Sequence, residues 1–130
     1  MSIRVLVVDD EKEVVEVVSE RLLKEGYTIA KAYDGEAALD SIKEFNPDVI
    51  LLDLMMPKLN GFDVVKEVRT KHTDKWIPII IISAKTEIET INKCYEFEAD
   101  HYLTKPCSIE AILKAVATMA SLIPLRINRV

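Results

Sequence analysis

The chain has 130 residues, of which 49% are hydrophobic and 30% charged, and it carries a formal net charge of −5 with a pI near 5.1. This length is that of one ordinary domain, and its apolar runs are too short to span a bilayer or to form a secretory signal. We therefore expect a cytoplasmic protein that does not bind a membrane. The net negative charge and the absence of clustered Lys and Arg also argue against nucleic-acid binding.

Apolar runs alternate with stretches of helical period along the whole chain. The predicted strands are residues 3–8, 27–32, 48–53, 79–82 and 100–103. The predicted helices are residues 12–25, 35–45, 62–71, 86–97 and 108–121. Strict alternation of this kind predicts a doubly wound α/β domain, (βα)5, with a five-stranded parallel sheet in the order 2-1-3-4-5 and helices on both faces.

Several single residues mark the ends of the predicted helices. Gly26 is placed to stop the first helix, and Asp34 and Ser108 are placed to cap the second and the last. Pro124 is expected to end the last helix, since proline cannot continue one easily. We therefore expect a domain over residues 1–121 and, over residues 122–130, a C-terminal tail or the start of a truncated linker.

Charged residues follow the apolar runs at three strand ends. Asp9 and Asp10 follow the first strand, Asp53 ends the third, and Lys105 follows the fifth. Parallel sheets place ligand sites beyond the carboxyl ends of their strands, so these side chains are expected to converge. Three carboxylates against one ammonium require a further cation, and Mg²⁺ is favoured, with Mn²⁺ as an alternative. Taken singly, each position is equally consistent with a purely structural role, in which Asp9 and Asp10 cap the first helix and Asp53 lies in a solvated loop.

The same strand ends offer a nucleophile for phosphoryl transfer. Asp53 stands alone on the central strand, whereas Asp9 and Asp10 are adjacent and suited to holding a metal. Ser83 ends the fourth strand, where its hydroxyl could contact a bound anion together with Lys105, although it could instead cap the following helix. This set favours formation of an aspartyl phosphate on Asp53, whose carboxylate is already ionised at neutral pH.

The ordered set of motifs resembles the receiver domain of two-component response regulators, the CheY-like family with a flavodoxin-like fold. The resemblance covers about residues 3–121, and its motifs are Val7-Val8-Asp9-Asp10-Glu11, Asp53-Leu54-Met55-Met56-Pro57 with Gly61, Ser83-Ala84, and Tyr102-Leu103-Thr104-Lys105-Pro106. It implies a signalling phospho-acceptor, not an enzyme, whose Asp53 takes a phosphoryl group from the phosphohistidine of a sensor histidine kinase or phosphotransfer protein.

The resemblance also assigns roles within the site. Asp10, Asp53 and the backbone carbonyl of Met55 would ligate the metal directly, and Asp9 would act through water. Lys105 and Ser83 would contact the phosphoryl oxygens. On phosphorylation Ser83 would move toward them and Tyr102 would turn inward, a population shift biased by a local charge. The signal would pass to an unidentified output domain or protein, from a monomer or a phosphorylation-linked dimer.

A docking surface for the kinase is expected beside the site, on the first helix and the turn after Lys105. The stripe that faces the core on this helix is predicted to be Val14, Val17, Val18 and Leu22. Val15 is then surplus apolar surface, and we expect it to contact the kinase together with Pro106 and Cys107. Pro106 also gives the peptide after Lys105 the only common context for a cis bond.

Some positions depart from the usual family pattern. Glu98 stands where glycine with positive φ is common, so the end of the fourth helix is expected to be wound differently. Ser83 stands where threonine is commoner, which preserves the hydroxyl but loosens its rotamer. Met55 and Lys85 flank the path of a hydrolytic water, and neither side chain is suited to orienting it. We therefore hypothesise a long-lived phosphorylated state.

Two other functions compete with phosphoryl acceptance. A phosphatase that works through an aspartyl phosphate would need an acid two residues after the nucleophile, where Met55 stands. A receiver-like scaffold that binds partners without being phosphorylated would have no use for the complete set of Asp9, Asp10, Asp53, Ser83 and Lys105.

Overall fold

The computed structural model describes residues 2–56 and 58–127. The strands are Arg4–Val8 (β1), Thr28–Ala32 (β2), Val49–Leu52 (β3), Ile79–Ser83 (β4) and His101–Thr104 (β5). The helices are Lys12–Lys24 (α1), Gly35–Phe45 (α2), Gly61–Lys71 (α3), Ile88–Glu96 (α4) and Ile109–Ile127 (α5). The sheet is parallel in the order β2-β1-β3-β4-β5, which confirms the predicted fold class and strand order.

Each inner strand contributes side chains to two cores, because successive residues of a strand point to opposite faces. Leu6 and Ile50 belong to one apolar cluster, and the next residues, Val7 and Leu51, belong to the other. The first cluster is covered by α2, α3 and α4, and the second by α1 and α5. Burial on both faces explains why these strands are unbroken apolar runs. In the described part of the chain, no helix has the length and apolarity needed to cross a membrane.

Helix α1 presents a different stripe to the sheet from the one predicted. Its buried residues are Val15, Val18, Ser19 and Leu22. Val15 is 0% exposed, whereas Val17 is 59% exposed, so the prediction that Val17 lies in the core and Val15 on the surface is wrong. Both stripes have helical spacing and share Val18 and Leu22, so packing against the second cluster decides between them.

Helix α5 is longer than predicted. It continues through Pro124 to Ile127, so the prediction that Pro124 ends the helix near residue 121 is wrong. Proline removes one N–H, but Met119, Ala120 and Ile123 pack against the second cluster and stabilise the last turns. The last three residues of the proposed tail, 128–130, lie outside the described residues.

Helix α4 ends in a turn with a left-handed residue. Glu98 has a φ of 69°. The N–H of Glu98 donates to the carbonyl of Tyr95 at 2.9 Å and that of Ala99 to the carbonyl of Cys94 at 3.0 Å, the pair of bonds of a Schellman motif. Arg69 Nε donates to the carbonyl of Glu98 at 2.9 Å. The expectation of a different winding is therefore wrong, because glutamate itself adopts the positive φ.

Glu98→Gly should stabilise the protein, because a side chain in the left-handed region costs about 1 kcal/mol or more. Glycine makes the unfolded chain more flexible and offsets part of this gain, so we expect the free energy of unfolding to rise by about 0.5 kcal/mol. Urea unfolding measures the change. The matched control is Glu96→Gly in the right-handed part of α4, which should lose about 0.5 to 1 kcal/mol. Equal destabilisation by both changes would contradict the prediction.

Candidate functional site

The carboxyl ends of β1 and β3 bring three aspartates together. Asp9, Asp10 and Asp53 each offer a carboxylate oxygen, and these oxygens all lie within 4.8 Å of one another. Asp9 and Asp53 are buried and Asp10 is exposed, so the group is open to solvent on one side. The convergence predicted from the strand ends is therefore present in the structure.

Asp9 is held by its own turn and by the lysine after β5. Its Oδ1 accepts from the N–H of Glu11 at 3.0 Å, and its Oδ2 accepts from Lys105 Nζ at 2.8 Å. Neither Asp9 nor Asp10 is the N-cap residue of α1, which is Glu11. Capping therefore does not account for the pair. Glu11 closes the first motif but was assigned no role from the sequence; its Oε1 lies 3.5 Å from Lys105 Nζ, so it forms part of the same network.

Asp53 follows β3 and is 6% exposed. Its Oδ1 accepts from the N–H of Met55 at 3.4 Å, and its Oδ2 lies 3.8 Å from Lys105 Nζ. The loop after it packs directly on the start of α3, where Gly61 donates its N–H to the carbonyl of Leu54 at 2.9 Å. A Cβ on Gly61 would lie 2.7 Å from Leu54 Cα and 2.9 Å from the carbonyl oxygen of Asp53, so only glycine allows this approach.

The charges in the site do not balance. Burial and the neighbouring Asp9 carboxylate raise the pKa of Asp53 from 3.8 to about 6, although Lys105 and the N–H of Met55 oppose the rise. Burial lowers the pKa of Lys105, but its hydrogen bond to Asp9 and the charge of Asp53 more than offset this and hold that pKa above its usual value. Lys105 therefore stays cationic beside a surplus of carboxylates. This donor set of hard oxygens with excess negative charge fits a divalent cation such as Mg²⁺.

Ser83 and Tyr102 both bind the backbone of one residue, Lys85. Ser83 is 0% exposed and its Oγ accepts from the N–H of Lys85 at 3.2 Å. The Tyr102 hydroxyl donates to the carbonyl of Lys85 at 2.7 Å, and its half-buried ring packs against the first cluster. The N-cap residue of α4 is Glu87, so Ser83 does not cap that helix. The β4–α4 loop is thus held from both sides.

The turn after β5 carries the remaining predicted residues. The N–H of Lys105 donates to the carbonyl of Ser83 at 2.8 Å, and the Lys105–Pro106 peptide is cis. Pro106 is exposed and Cys107 is half-buried, so both can contact a partner. Val15 cannot, because it is 0% exposed, and its predicted docking role is wrong. Packing of α1 against the sheet buries Val15 and exposes Val17 in its place.

The family model of the response regulator receiver domain matches residues 5–117. The chain belongs to this family, whose members are signalling modules of two-component systems. The receiver domain of Francisella response regulator 1452 is 33% identical, with 92% of this chain and 98% of that chain covered and a TM-score of 0.85. The chemotaxis response regulator CheY4 of Vibrio cholerae is also 33% identical, with 92% and 99% covered and a TM-score of 0.85. The signal receiver domain of NarL from Mycobacterium tuberculosis is 33% identical, with 92% and 97% covered and a TM-score of 0.83.

The raised pKa of Asp53 predicts a pH-dependent gain of stability for Asp53→Asn without divalent ions. A carboxyl whose folded pKa lies above its unfolded value loses stability as pH rises through the folded pKa. At pH 8 the ionised Asp53 therefore costs at most about 3 kcal/mol, which asparagine avoids. Urea unfolding in EDTA should show the variant more stable than wild type at pH 8, with the difference shrinking between about pH 6 and pH 4.

Asp40→Asn on the exposed face of α2 provides the control and should show no such pH dependence. An advantage of Asp53→Asn that grows toward acid pH would contradict the prediction, because it would mean that the Asp53 carboxylate stabilises the fold.

Proposed function

We propose that Asp53 accepts a phosphoryl group from the phosphohistidine of a sensor histidine kinase or phosphotransfer protein, and that the phosphorylated domain signals to an output domain or protein. The observation that carries this proposal is the meeting of Asp53 with two further aspartates and one lysine at the carboxyl edge of the sheet. Receiver domains in general interact with histidine kinases and output domains, which supports the choice of partners.

A metal belongs to this proposal, since receiver domains generally bind Mg²⁺ at an acidic aspartate cluster. Asp10, Asp53 and the carbonyl of Met55 would hold it directly and Asp9 through water. When bound, Mg²⁺ would neutralise carboxylate charge and bind phosphoryl oxygens. The exposed side chain of Asp10 leaves the approach to the cluster open.

The transfer needs little beyond positioning and charge. A carboxylate oxygen of Asp53 attacks phosphorus, the bond from phosphorus to the donor nitrogen breaks, and its electron pair leaves with the imidazole. Lys105, which lies between Asp9 and Asp53, would bind a phosphoryl oxygen. Since a carboxylate has no proton to lose at neutral pH, the reaction needs no general base.

The switch would act through the backbone of Lys85. If Ser83 turns its hydroxyl toward a phosphoryl oxygen, the N–H of Lys85 loses its partner and the β4–α4 loop is free to shift. Tyr102 holds the carbonyl of the same residue, so it would move inward with the loop. Ile88 is 74% exposed and Tyr95 is 46% exposed on the neighbouring α4, and this face would carry output contacts or a phosphorylation-linked dimer.

The central proposal predicts a specific mass increase. Incubation with Mg²⁺ and acetyl phosphate or phosphoramidate should add one phosphoryl group, seen by intact-mass measurement. Asp53→Asn or removal of Mg²⁺ with EDTA should abolish the addition, whereas Asp40→Asn should retain it. If no donor modifies the wild type, a binding scaffold is favoured. Sustained release of phosphate from aryl phosphates would instead favour a phosphatase.

The residues around the site predict a long-lived phosphorylated state. Met55 is 57% exposed and cannot orient water, and Lys85, two residues after Ser83, carries an ammonium that cannot accept a hydrogen bond from one. We expect Met55→Asn and Lys85→Glu to increase the rate of dephosphorylation several-fold, because each supplies a group that can position a water molecule. Loss of the phosphoryl mass after removal of the donor measures this rate. Unchanged rates in both variants would overturn the hypothesis.

A further inference from the structure

The loop between β3 and α3 packs against the start of α2. A Cβ on Gly35 would lie 2.2 Å from the carbonyl oxygen of Leu59 and 2.4 Å from the Cβ of the same residue. Gly35 is the first residue of α2, where the backbone conformation suits any residue, so glycine is required there for space. An alanine would push the Leu59 carbonyl back by about 1 Å or more before it reached an ordinary contact distance.

Lys58 holds the same part of the loop through its charge. Its Nζ lies 3.5 Å from Oδ2 of Asp34 and 3.8 Å from Oε2 of Glu36, the two residues that flank Gly35. The Asp34 carboxylate is itself fixed, because its Oδ1 accepts from the N–H of Ala37 at 2.8 Å. The Lys58 side chain is 57% exposed, so these ion pairs are weak, but both draw the loop toward α2.

The contact with α2 lies close to the residue that is proposed to bind the metal through its backbone. At the base of the loop, the N–H of Gly61 donates to the carbonyl of Leu54 at 2.9 Å. Residues 55–58 separate Leu54 from Leu59, so the backbone of Met55 lies between two fixed points. The Met55 side chain is 57% exposed, so the backbone of the loop sets the position of its carbonyl. A displacement of Leu59 is therefore passed on to that carbonyl.

We propose that the start of α2 positions a ligand of the metal site, and that Gly35 is a positioning residue for Mg²⁺ binding. This inference rests on the proposed function, in which the carbonyl of Met55 binds the metal directly. By leaving room for Leu59, Gly35 lets the loop settle where that carbonyl can complete the ligand set of the aspartates. The ion pairs of Lys58 hold the loop in this position.

Mg²⁺ and Ca²⁺ respond differently to a displaced ligand. Mg²⁺ demands nearly ideal octahedral geometry with ligands at about 2.0–2.1 Å, whereas Ca²⁺ accepts irregular ligand sets at longer distances. Both ions carry the same charge, so a change in the surrounding charges affects their affinities alike. The ratio of the two affinities therefore reports the position of the carbonyl separately from the electrostatics of the site.

Gly35→Ala tests the crowded contact. We expect its Mg²⁺ affinity to fall about tenfold, as for other residues that orient a metal ligand, and its Ca²⁺ affinity to fall by no more than about threefold. Titration with each metal alone, followed through the backbone amide signals in NMR, measures both affinities. Alanine at an unstrained helical position ordinarily stabilises a protein, so a purely structural role of Gly35 predicts no loss of metal binding.

Gly26→Ala is the matched control. Gly26 has a φ of 96° and nothing lies within 4 Å of the place of its Cβ, so alanine strains the backbone there without displacing a neighbour. This variant should lose stability in urea unfolding and keep the Mg²⁺ and Ca²⁺ affinities of the wild type. An equal loss of Mg²⁺ affinity in both variants would contradict the inference, because it would reflect general destabilisation.

A charge exchange tests the ion pairs and does not depend on the folding of Gly35→Ala. Lys58→Glu places a further acid beside Asp34 and Glu36 and should push the loop away from α2. We expect the ratio of Mg²⁺ to Ca²⁺ affinity to fall about twofold to threefold in this variant. Adding Glu36→Lys restores an ion pair and the net charge of the wild type, and it should restore the ratio. A wild-type ratio in Lys58→Glu would contradict the inference.

The outcomes separate the two proposals. If the wild type binds neither ion, the metal site of the proposed function fails. If the wild type binds Mg²⁺ and the Gly35→Ala variant binds it equally well, the metal site stands and the positioning role of α2 is wrong.

Discussion

The burial of Asp53 next to Asp9, with one lysine to serve both carboxylates, is the constraint on which the site depends. Burying carboxylates is costly unless they are paired, and Lys105 lies 2.8 Å from Asp9 but 3.8 Å from Asp53. The pKa of Asp53 therefore rises to about 6. The fold bears this cost because β1 and β3 hold both backbones in the central sheet. The unbalanced charge is what makes the site receptive to a cation.

The candidate functional residues lie at the carboxyl end of the sheet, and a separate hydrogen-bond network stabilises its amino-terminal end. Beyond the carboxyl end lie the acidic cluster and the loops held through Lys85 and Gly61. At the other end, Arg69 binds the Asp100 carboxylate at 2.7 Å and the carbonyl of Ile77 at 2.8 Å. The Asp100 carboxylate also accepts from Trp76 and from the N–H of Ile79. These hydrogen bonds join the amino-terminal ends of β4 and β5. These bonds hold this end of the sheet independently of the loops at the carboxyl end.

The site residues that lie at strand ends could be predicted from the sequence, whereas features that depend on tertiary packing could not. The positions of Asp9, Asp53 and Lys105 follow from apolar runs in a parallel sheet, and their side chains meet as expected. Ser83 is joined to this group through its backbone carbonyl, which accepts from the N–H of Lys105. Glu98 shows the limit, because its backbone keeps a left-handed φ that its side chain disfavours. The continuation of α5 past Pro124 could not be predicted either, because the contacts that stabilise it join residues distant along the chain.

The face that α1 turns toward the sheet could not be predicted from the sequence, and it affects the functional site. The sequence has apolar residues on two overlapping stripes of the helix, and docking on the second cluster turns Val15 inward. The same rotation places Val17 on the wall of the cavity that opens to Asp53. The orientation of α1 therefore places Val15 in the core and Val17 in an apolar wall beside the nucleophile. Substitutions at Val15 and Val17, two residues apart, should thus have separable effects, on folding and on access to the site.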